Sequence, residues 1–342
     1  MRMKVDWVSS VKGEIKGNSL GYGLANKRLK EAFSKVADLD ENSNVALHFC
    51  HPQHYEPDFG KFNVLYTMCE HEWLSDDFYK AFARCDMVIT PSEYCKTIFE
   101  EAGCVVPVYV SPLGVDTKLF KLKKRKWKKN RGKPFRFLYL GAPNVRKYSL
   151  LEGLYKDIIM DMPGVELYIK TTGADLQGMD NGTNIVKSGN WTLDNRKVSE
   201  KELVKIYHEA HCKLFPHMGE GFGMTALESL STGLPLIISD YASTKEFCNN
   251  ENSYPVLCNP GVVDAMIEEQ DGSEVRKGKI VKVDTMIPDK ASMYEAVFNV
   301  LKNYGKAIDK GIQGRADSMK LTWEDAAKKL LETLQRIDSP TS

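Results

Sequence analysis

The sequence predicts an α/β protein with two domains, each built on a parallel sheet that helices cover on both faces. Three observations carry this prediction. Short buried strand patterns alternate with helical patterns, which is typical of parallel sheets with crossover helices. Glycine-rich turns lie between a strand and the helix that follows it, at residues 17–23 and 219–223. The 342 residues are too many for one ordinary hydrophobic core and suit two.

Composition excludes several classes of protein. The chain is 42% hydrophobic with a formal net charge of +1, which is typical of a soluble globular protein without a global bias towards nucleic acid. No apolar run reaches the roughly 18 residues of a membrane span, and the N-terminus lacks the apolar stretch of a signal peptide. The eight cysteines are scattered without a C-x-x-C pair. They predict free thiols and a cytoplasmic location.

Strands and helices alternate through the first third of the chain. A helix is predicted to run to about Val36, another over Leu74–Phe82, and a third from the N-cap pair Pro91-Ser92. The predicted strands are Lys4–Ser9, Val45–Phe49, Phe62–Thr67, Asp86–Thr90 and Val108–Ser111.

Candidate site residues follow these strands. Gly21 lies in the first strand-to-helix turn, where either a phosphate-binding loop or a simple structural turn fits. Histidines 48, 51 and 54 are three apart, but Pro52 breaks a helical face and no carboxylate or cysteine completes a ligand set, so no metal is predicted. His51 is predicted to face an acceptor from a strand end, with a solvated loop as the alternative.

A strongly basic segment separates the halves. Ten of the sixteen residues from Lys121 to Arg136 are Lys or Arg, with Trp127 among them. A solvated linker is one interpretation. The other interpretation is a positively charged binding surface for a polyanion, either nucleic-acid phosphates or anionic lipid. The predicted segments are an N-terminal domain at 1–113, a hinge and basic linker at 114–134, a C-terminal domain at 135–320, and a final helix at 321–342 that packs back on the N-terminal domain.

The second half repeats the alternation. Its predicted strands are Phe135–Leu140 (followed by Gly141), Val165–Thr171, one ending at Gly189–Trp191, and Cys212–Phe215; its predicted helices are Leu150–Met160, one from Ser199 to Ala210, and one from about Gly223.

The most informative stretch is 215–228. Glycines 219, 221 and 223 are predicted to form a tight turn that lets the backbone approach a ligand closely. The helix that follows would present free N–H groups and a positive dipole end, which suit phosphate. Glu220 and Glu228 could accept hydrogen bonds from hydroxyl groups of the same molecule. A nucleotide sugar has both kinds of group.

These residues resemble the donor site of glycosyltransferase family 4. The resemblance rests on Glu220-x7-Glu228, on Ser231-Thr232-Gly233-Leu234-Pro235 with the strand after it, and on Glu246. It extends to Pro112–Asp116, which is similar to the family hinge, and to Leu321–Ala327, which is similar to the start of the last helix. It implies two facing Rossmann-like domains (the GT-B fold) that bind the donor in the second domain and the acceptor in the first.

The resemblance also implies roles. Glu220 would hold donor-sugar hydroxyls and Glu228 ribose hydroxyls, while Arg146 and Lys147 would take the diphosphate. Glu70 would stand near the transferred sugar as a buried carboxylate, with His71 beside it on the acceptor side; the alternative is that Glu70 only caps the helix Leu74–Phe82. The remaining donor contacts would come from Gly21, Gly141, Trp191 (stacked on the base, or alternatively a rim aromatic), Gly221, Phe222, Gly223, Met224 and Thr225. Transfer would retain the anomeric configuration, without a protein nucleophile, a metal or another obligatory cofactor.

Acceptor and partners stay open at this stage. A glycan is one acceptor, and a hydroxymethylated DNA base gripped through residues 121–136 is another; that base would have to be flipped out of a duplex. A non-catalytic protein that binds sugar nucleotides or glycans, or a nucleic-acid-binding protein, is the alternative from another class.

Overall fold

The computed structural model describes residues 2–8, 20–126, 133–141, 151, 153–172, 183–267, 270–271, 274–275 and 279–338. All statements on structure below concern these ranges.

The N-terminal half forms a parallel sheet of six strands in the order β2-β1-β3-β4-β5-β6. The strands are β1 (Lys4–Val8), β2 (Asp38–Leu39), β3 (Val45–Phe49), β4 (Phe62–Tyr66), β5 (Met87–Thr90) and β6 (Val108–Val110). Helices α1 (Leu20–Phe33), α2 (Asp76–Phe82) and α3 (Glu93–Glu101) alternate with them. The central strands are buried on both faces, as parallel sheets require. The α/β prediction is confirmed here.

The C-terminal half forms a second sheet of seven strands in the order β13-β12-β11-β7-β8-β10-β9. The strands are β7 (Phe135–Leu140), β8 (Val165–Lys170), β9 (Ile185–Ser188), β10 (Trp191–Asp194), β11 (Cys212–Phe215), β12 (Leu236–Ser239) and β13 (Tyr254–Val256). All neighbours are parallel except β9 and β10, which form an antiparallel hairpin. Tyr155–Ile159 is a π-helical turn, and α4 (Glu200–Glu209) and α5 (Met224–Ser231) flank β11 along the chain.

A long antiparallel hairpin leaves this sheet, and the sequence analysis predicted no such element. Strands β14 (Cys258–Ile267) and β17 (Lys279–Pro288) pair over their whole length, with the short strands β15 (Gln270–Asp271) and β16 (Glu274–Val275) beyond them. The hydroxyl of Thr285 donates to the backbone carbonyl of Met218 at 2.5 Å. The base of the hairpin therefore braces the loop that follows β11.

The last three helices are α6 (Lys290–Lys302), α7 (Tyr304–Ser318) and α8 (Trp323–Leu334). Helix α8 packs against α1, and the two helices share one hydrophobic core. The N–H group of Val115 donates to Leu321 O at 2.9 Å just before α8 begins. The final helix thus contacts the N-terminal half, while the segment boundaries themselves stay a prediction.

Strand order changes direction once in each sheet. In the N-terminal half β2 and β3 lie on opposite sides of β1, and in the C-terminal half β8 and β11 lie on opposite sides of β7. Ligands of open α/β sheets bind at the carboxyl ends of strands where the order reverses. The fold therefore predicts two binding sites, both at the carboxyl ends of strands. The site at β1 and β3, in the N-terminal half, is called the N-terminal edge below, and the site at β7 and β11, in the C-terminal half, is called the C-terminal edge.

Candidate active site

Helix α5 starts at the C-terminal edge through a residue that has to be glycine. Gly223 is its N-cap with φ +92°, a left-handed conformation that side chains disfavour. A Cβ atom there would lie 2.6 Å from Thr244 Cγ2. The predicted helix start is confirmed, and the N–H groups of its first turn are the kind that a helix leaves without internal partners. Gly141, at the end of the adjacent strand β7, lies at the same edge.

Glu228 lies on α5 and is 8% exposed. Its Oε2 accepts a hydrogen bond from the Tyr207 hydroxyl at 2.6 Å. Burial raises the pKa of Glu228 to about 7, while the Tyr207 hydroxyl and the positive charge of Lys213 act in the opposite direction. A carboxylate with this pKa changes its charge and its hydrogen-bonding capacity near neutral pH.

Lys213 supports the first turn of α5 and was missed by the sequence analysis. It lies within the buried strand β11, and its Nζ donates to Thr225 O at 2.6 Å. Its ammonium also lies 4.6 Å from the ring centroid of Phe215. A lysine inside an otherwise apolar strand pattern was the signal that could have found it.

Glu220 is half-buried in the loop that leads to α5. Its backbone carbonyl accepts a hydrogen bond from the Ser243 hydroxyl at 2.6 Å. Ser243 follows Ala242, which has φ +60°, a conformation that is uncommon outside glycine. The segment 242–246 thus holds the loop through a hydroxyl and a strained backbone.

Two of the loop glycines have a role in packing that the sequence analysis did not predict. A Cβ atom at Gly219 would lie 1.9 Å from Glu70 O, and one at Gly221 would lie 2.8 Å from Cys69 O. Both glycines therefore let the loop lie directly on the turn after β4 in the other half. Their role in the approach to a ligand stays a prediction.

Glu70 is exposed, so the prediction of a buried carboxylate is wrong. Its backbone carbonyl lies against Gly219, and this backbone contact leaves the side chain at the surface. The N-cap position of the helix after it is Ser75, five residues further on, so Glu70 is not its N-cap. His71 is half-buried in the same turn.

An aromatic pair lies at the N-terminal edge. The ring of His51 lies 3.8 Å from that of Tyr22, centroid to centroid, at an interplanar angle of 34°. Burial lowers the pKa of His51 to about 4, with Glu70 acting in the opposite direction, so the imidazole is neutral at pH 7. The Tyr22 hydroxyl lies 3.0 Å from Thr67 Oγ1 and accepts from Met68 N at 2.8 Å.

The first helices of the two sites meet across the cleft. A Cβ atom at Gly21, in the first turn of α1, would lie 3.9 Å from Met224 Cε, in the first turn of α5. Two positive helix ends therefore lie on facing sides of the cleft. The structure brings Gly21, Met224 and the glycine loop together, as the predicted donor site requires.

Three further residues were predicted to contact the donor. Two of them, Arg146 and Lys147, lie outside the described residues. Trp191 is the first residue of β10 and pairs with Leu167 in the middle of β8, so its backbone is set back from the carboxyl ends of the strands, from which the glycine loop leaves. Its stacking on a base stays a prediction.

The carboxyl ends of β8 and β10 carry a charged cluster that the sequence analysis missed. Asp194 is fully buried and accepts two hydrogen bonds from the guanidinium of Arg196, at 3.0 and 2.8 Å. Lys170 is 4% exposed and donates to Thr171 O at 2.8 Å. Burial acts to raise the pKa of Asp194, but the hydrogen bonds from Arg196 and Tyr168 outweigh it and lower this pKa to about 2. These groups lie at the edge where the donor site was predicted.

The basic segment is not a uniformly solvated linker. Arg125 is 8% exposed, and its guanidinium donates to the carbonyls of Ala210 at 2.5 Å, Tyr207 at 3.1 Å and Gly233 at 3.1 Å. These carbonyls lie at or just beyond the C-terminal ends of α4 and α5. The C-terminal end of a helix carries partial negative charge, so a cation is favourable there. Arg136 pairs with Glu166 at 2.5 Å. Burial makes Arg125 unavailable to a polyanion, which corrects the prediction for this residue. Arg136 keeps partial exposure in its ion pairs with Glu166 and Glu209.

Space beside Glu228 is small. A cavity of about 20 Å³ lies between the halves, lined by Glu228, Met224 and the ion pair of Arg28 with Glu200, among others. Within the described ranges, no three His, Cys, Asp or Glu side chains are close enough together to hold a metal ion. No described helix has the length and apolar character needed to cross a membrane.

Comparison with known proteins finds a family model that matches part of the chain. Residues 184–330, just under half of the chain, match the sequence model described as "Family 4 Glycosyltransferase in conflict systems". This segment includes the glycine loop and α5, so the predicted resemblance is confirmed there. None of the curated proteins compared with the chain matches it in sequence.

Solved structures share the fold at low identity. Anabaena HepE, in complex with UDP and glucose, matches with a TM-score of 0.64 and 11% identity over 98% of this chain and 100% of that one. Sucrose-phosphate synthase from Thermosynechococcus elongatus matches with a TM-score of 0.63 and 14% identity over 97% and 83%. The chain spans only 57% of the GtfA/B and TarM chains that it matches. The predicted GT-B fold is confirmed.

Proposed function

We propose, from the family that residues 184–330 match, that the protein is a glycosyltransferase that moves a sugar from a nucleoside-diphosphate donor to an acceptor hydroxyl. One observation carries the proposal. Glu220 and Glu228 flank the N-terminus of α5 at the point where strand order reverses, so hydroxyl-binding carboxylates and phosphate-binding N–H groups lie side by side.

Each group has a role in this reaction. Glu220 orients the donor sugar through its hydroxyls, and Glu228 binds the ribose. The N–H groups of residues 222–224 and the first turn of α1 face the diphosphate, together with Arg146 and Lys147. These donors stabilise the negative charge that grows on the leaving phosphate.

Retention of the anomeric configuration belongs to the same proposal. No side chain is assigned as a nucleophile. The leaving phosphate assists the incoming hydroxyl on the same face of the sugar, and closure of the two halves limits attack by water. Analysis of the product anomer by NMR tests this point, since an inverted product would require a different arrangement.

The acceptor is proposed to be a glycan. The Tyr22–His51 pair offers an apolar ring face and a neutral imidazole acceptor, which suit a sugar with its C–H face and hydroxyls. HepE and TarM were solved with sugars or a glycan, as their names state, which supports this choice by analogy.

A hydroxymethylated DNA base is the second candidate. Lys121, Lys123, Lys124 and Lys126 are exposed beside the buried Arg125 and could contact phosphates. A duplex-binding measurement at several salt concentrations tests it. Charge reversal of Lys123, Lys124 and Lys126 should lower the affinity and flatten its salt dependence; unchanged binding would remove this candidate.

Thermal-shift binding against UDP, GDP, ADP, TDP and their sugars tests the donor site. We expect one base to stabilise the protein selectively, and Glu228→Ala to abolish that shift. The exposed Glu324 on α8 provides a control carboxylate, and Glu324→Ala should leave the shift unchanged. The absence of a response to any nucleotide would contradict the function, and a response without sugar transfer would favour a non-catalytic sugar-nucleotide-binding protein.

A further inference from the structure

The glycine loop of the C-terminal half is held by the first turn of a helix in the N-terminal half. Ser92 is fully buried and is the N-cap of α3. Its hydroxyl accepts a hydrogen bond from Cys95 N at 3.2 Å and donates one to the backbone carbonyl of Gly221 at 2.8 Å. Cys95 Sγ lies 3.5 Å from the same carbonyl oxygen, but its nearer acceptor is Cys69 O at 3.3 Å. The Ser92 hydroxyl of one half therefore holds a peptide of the other.

The close approach of the two backbones makes this contact possible. A Cβ atom at Gly221 would lie 2.8 Å from Cys69 O, so only glycine lets the loop come this near to the turn after β4. Nearby, the carboxylate of Glu246 accepts from Tyr94 N at 3.1 Å, at the same helix start. The N-terminus of α3 is thus engaged by two separate segments of the C-terminal half.

The direction of the Gly221 carbonyl sets the direction of the next N–H group. A trans peptide is planar, so the carbonyl of Gly221 and the N–H of Phe222 point to opposite sides of the chain. When Ser92 holds the carbonyl, it also fixes where the Phe222 N–H points. That N–H is one of the groups assigned to the donor.

We propose that Ser92 is a positioning residue for sugar transfer, which orients the Gly221–Phe222 peptide so that its N–H group faces the leaving diphosphate. The proposal rests on the proposed function. It couples the two halves, because the donor loop has its reactive geometry only while α3 is docked on it. Donor binding to a separated C-terminal half would lack this group.

The expected signature is in turnover and not in binding. Negative charge on the leaving phosphate grows towards the transition state, so an aimed N–H group contributes more there than in the ground state. Loss of the Ser92 hydroxyl should therefore lower kcat for the donor and change its KM little. A merely structural role would lower the fraction of active protein and leave kcat per active site unchanged.

Three variants separate the two functions of Ser92. Ser92→Thr keeps a hydroxyl that can cap the helix and donate to Gly221. Ser92→Gly removes the donor, yet glycine at an N-cap costs a helix little. Ser199→Gly is the matched control, because Ser199 is the N-cap of α4 and makes its side-chain bonds within that helix start.

The experiment measures the steady-state rate at which nucleoside diphosphate is released from the donor that the thermal-shift panel selects. The concentration of active sites is determined by titration with the nucleotide. We expect Ser92→Gly to lower kcat at least about tenfold with KM within about threefold, since one oriented donor in such a site has an effect of this size or larger. Ser92→Thr and Ser199→Gly should stay within about twofold of the unmodified protein, because both keep the donor to Gly221.

A second variant approaches the same contact from the other side. Gly221→Ala places a methyl group against Cys69 O and should lower kcat in the same pattern while Ser92 is intact. Unchanged kcat in Ser92→Gly, with a protein that binds and turns over its donor, overturns the role of Ser92 and leaves the proposed function standing. If the unmodified protein neither binds a nucleotide nor turns over a nucleotide sugar, both proposals fall.

Discussion

The two edges that face the cleft differ in charge. The C-terminal edge gathers buried ionisable groups, among them Glu228, Lys213 and Asp194, each fixed by hydrogen bonds. The N-terminal edge presents the tilted ring pair of Tyr22 and His51. The phenol is neutral at pH 7 even at its ordinary pKa, which burial raises further, and burial lowers the pKa of the imidazole to about 4, so both rings are uncharged.

This difference matches the two substrates of the proposed reaction. A nucleoside diphosphate carries negative charge and several hydroxyls, so its site needs carboxylates, cations and N–H groups held in place. A neutral sugar acceptor needs a ring face and a few hydrogen-bonding atoms. Variants at the two edges should accordingly affect different kinetic constants.

Glu220 should give the largest effect. Glu220→Ala removes a carboxylate that orients the donor sugar, and we expect kcat to fall by about 100-fold or more. The fold should be unaffected, because the contact with Ser243 uses the backbone carbonyl. Kinetics with a circular-dichroism melt check this, and full activity in the variant would remove Glu220 from the donor site.

Arg125 should dominate the stability of the C-terminal half. Arg125→Ala leaves the carbonyls at the ends of α4 and α5 without their shared donor, and we expect the free energy of unfolding to fall by about 3 kcal/mol. The neighbouring Lys124 is exposed, and Lys124→Ala should change it by less than about 0.5 kcal/mol. Urea unfolding of the two variants decides the point; equal midpoints would contradict a buried role.

Glu228 should make donor binding depend on pH. Its pKa of about 7 means that the carboxylate, which accepts hydrogen bonds from ribose, becomes populated as pH rises from 6 to 8. We expect donor affinity to rise about tenfold over this interval, and Glu228→Gln to flatten the profile. Calorimetry at several pH values provides the check, and an equally steep profile in the variant would assign the titration to another group.

The same group affects stability with the opposite sign. Its folded-state pKa lies above the ordinary value of 4.5, so the folded protein retains a proton that the unfolded chain releases. This retained proton adds up to about 3 kcal/mol to the free energy of unfolding. The whole contribution is present below about pH 4.5, and it is lost as the pH rises from there through 7. Glu228→Gln should remove this component from the pH dependence of unfolding.

The N-terminal edge should give the smallest effect, confined to the acceptor. His51→Ala removes one ring of the tilted pair, and we expect acceptor KM to rise about fivefold, the size of one aromatic contact. Donor KM should not change, and the acceptor KM should be flat between pH 6 and 8 because His51 is already neutral. A change in donor KM instead would place His51 on the other substrate.

Sequence reasoning was most successful where the signal is local. The buried strand β11, the glycine that needs a positive φ at 223 and the helix after it follow one another within twenty residues, so periodicity and glycine placement predicted them. The alternation of strands and helices gave the α/β class for the same reason. Glu220 and Glu228 were found because they flank this local unit.

The tertiary structure decided what depends on residues distant in the chain. Arg125 meets carbonyls 82 to 108 positions away, and Gly219 meets Glu70, so neither contact has a local pattern. The pairing of β10 with β8 set the backbone of Trp191 beside Leu167, back from the carboxyl ends of the strands. Composition and spacing determined which chemistry the chain can offer, while packing of the two halves decided which groups face the cleft, because burial and hydrogen bonding are fixed only when remote segments meet.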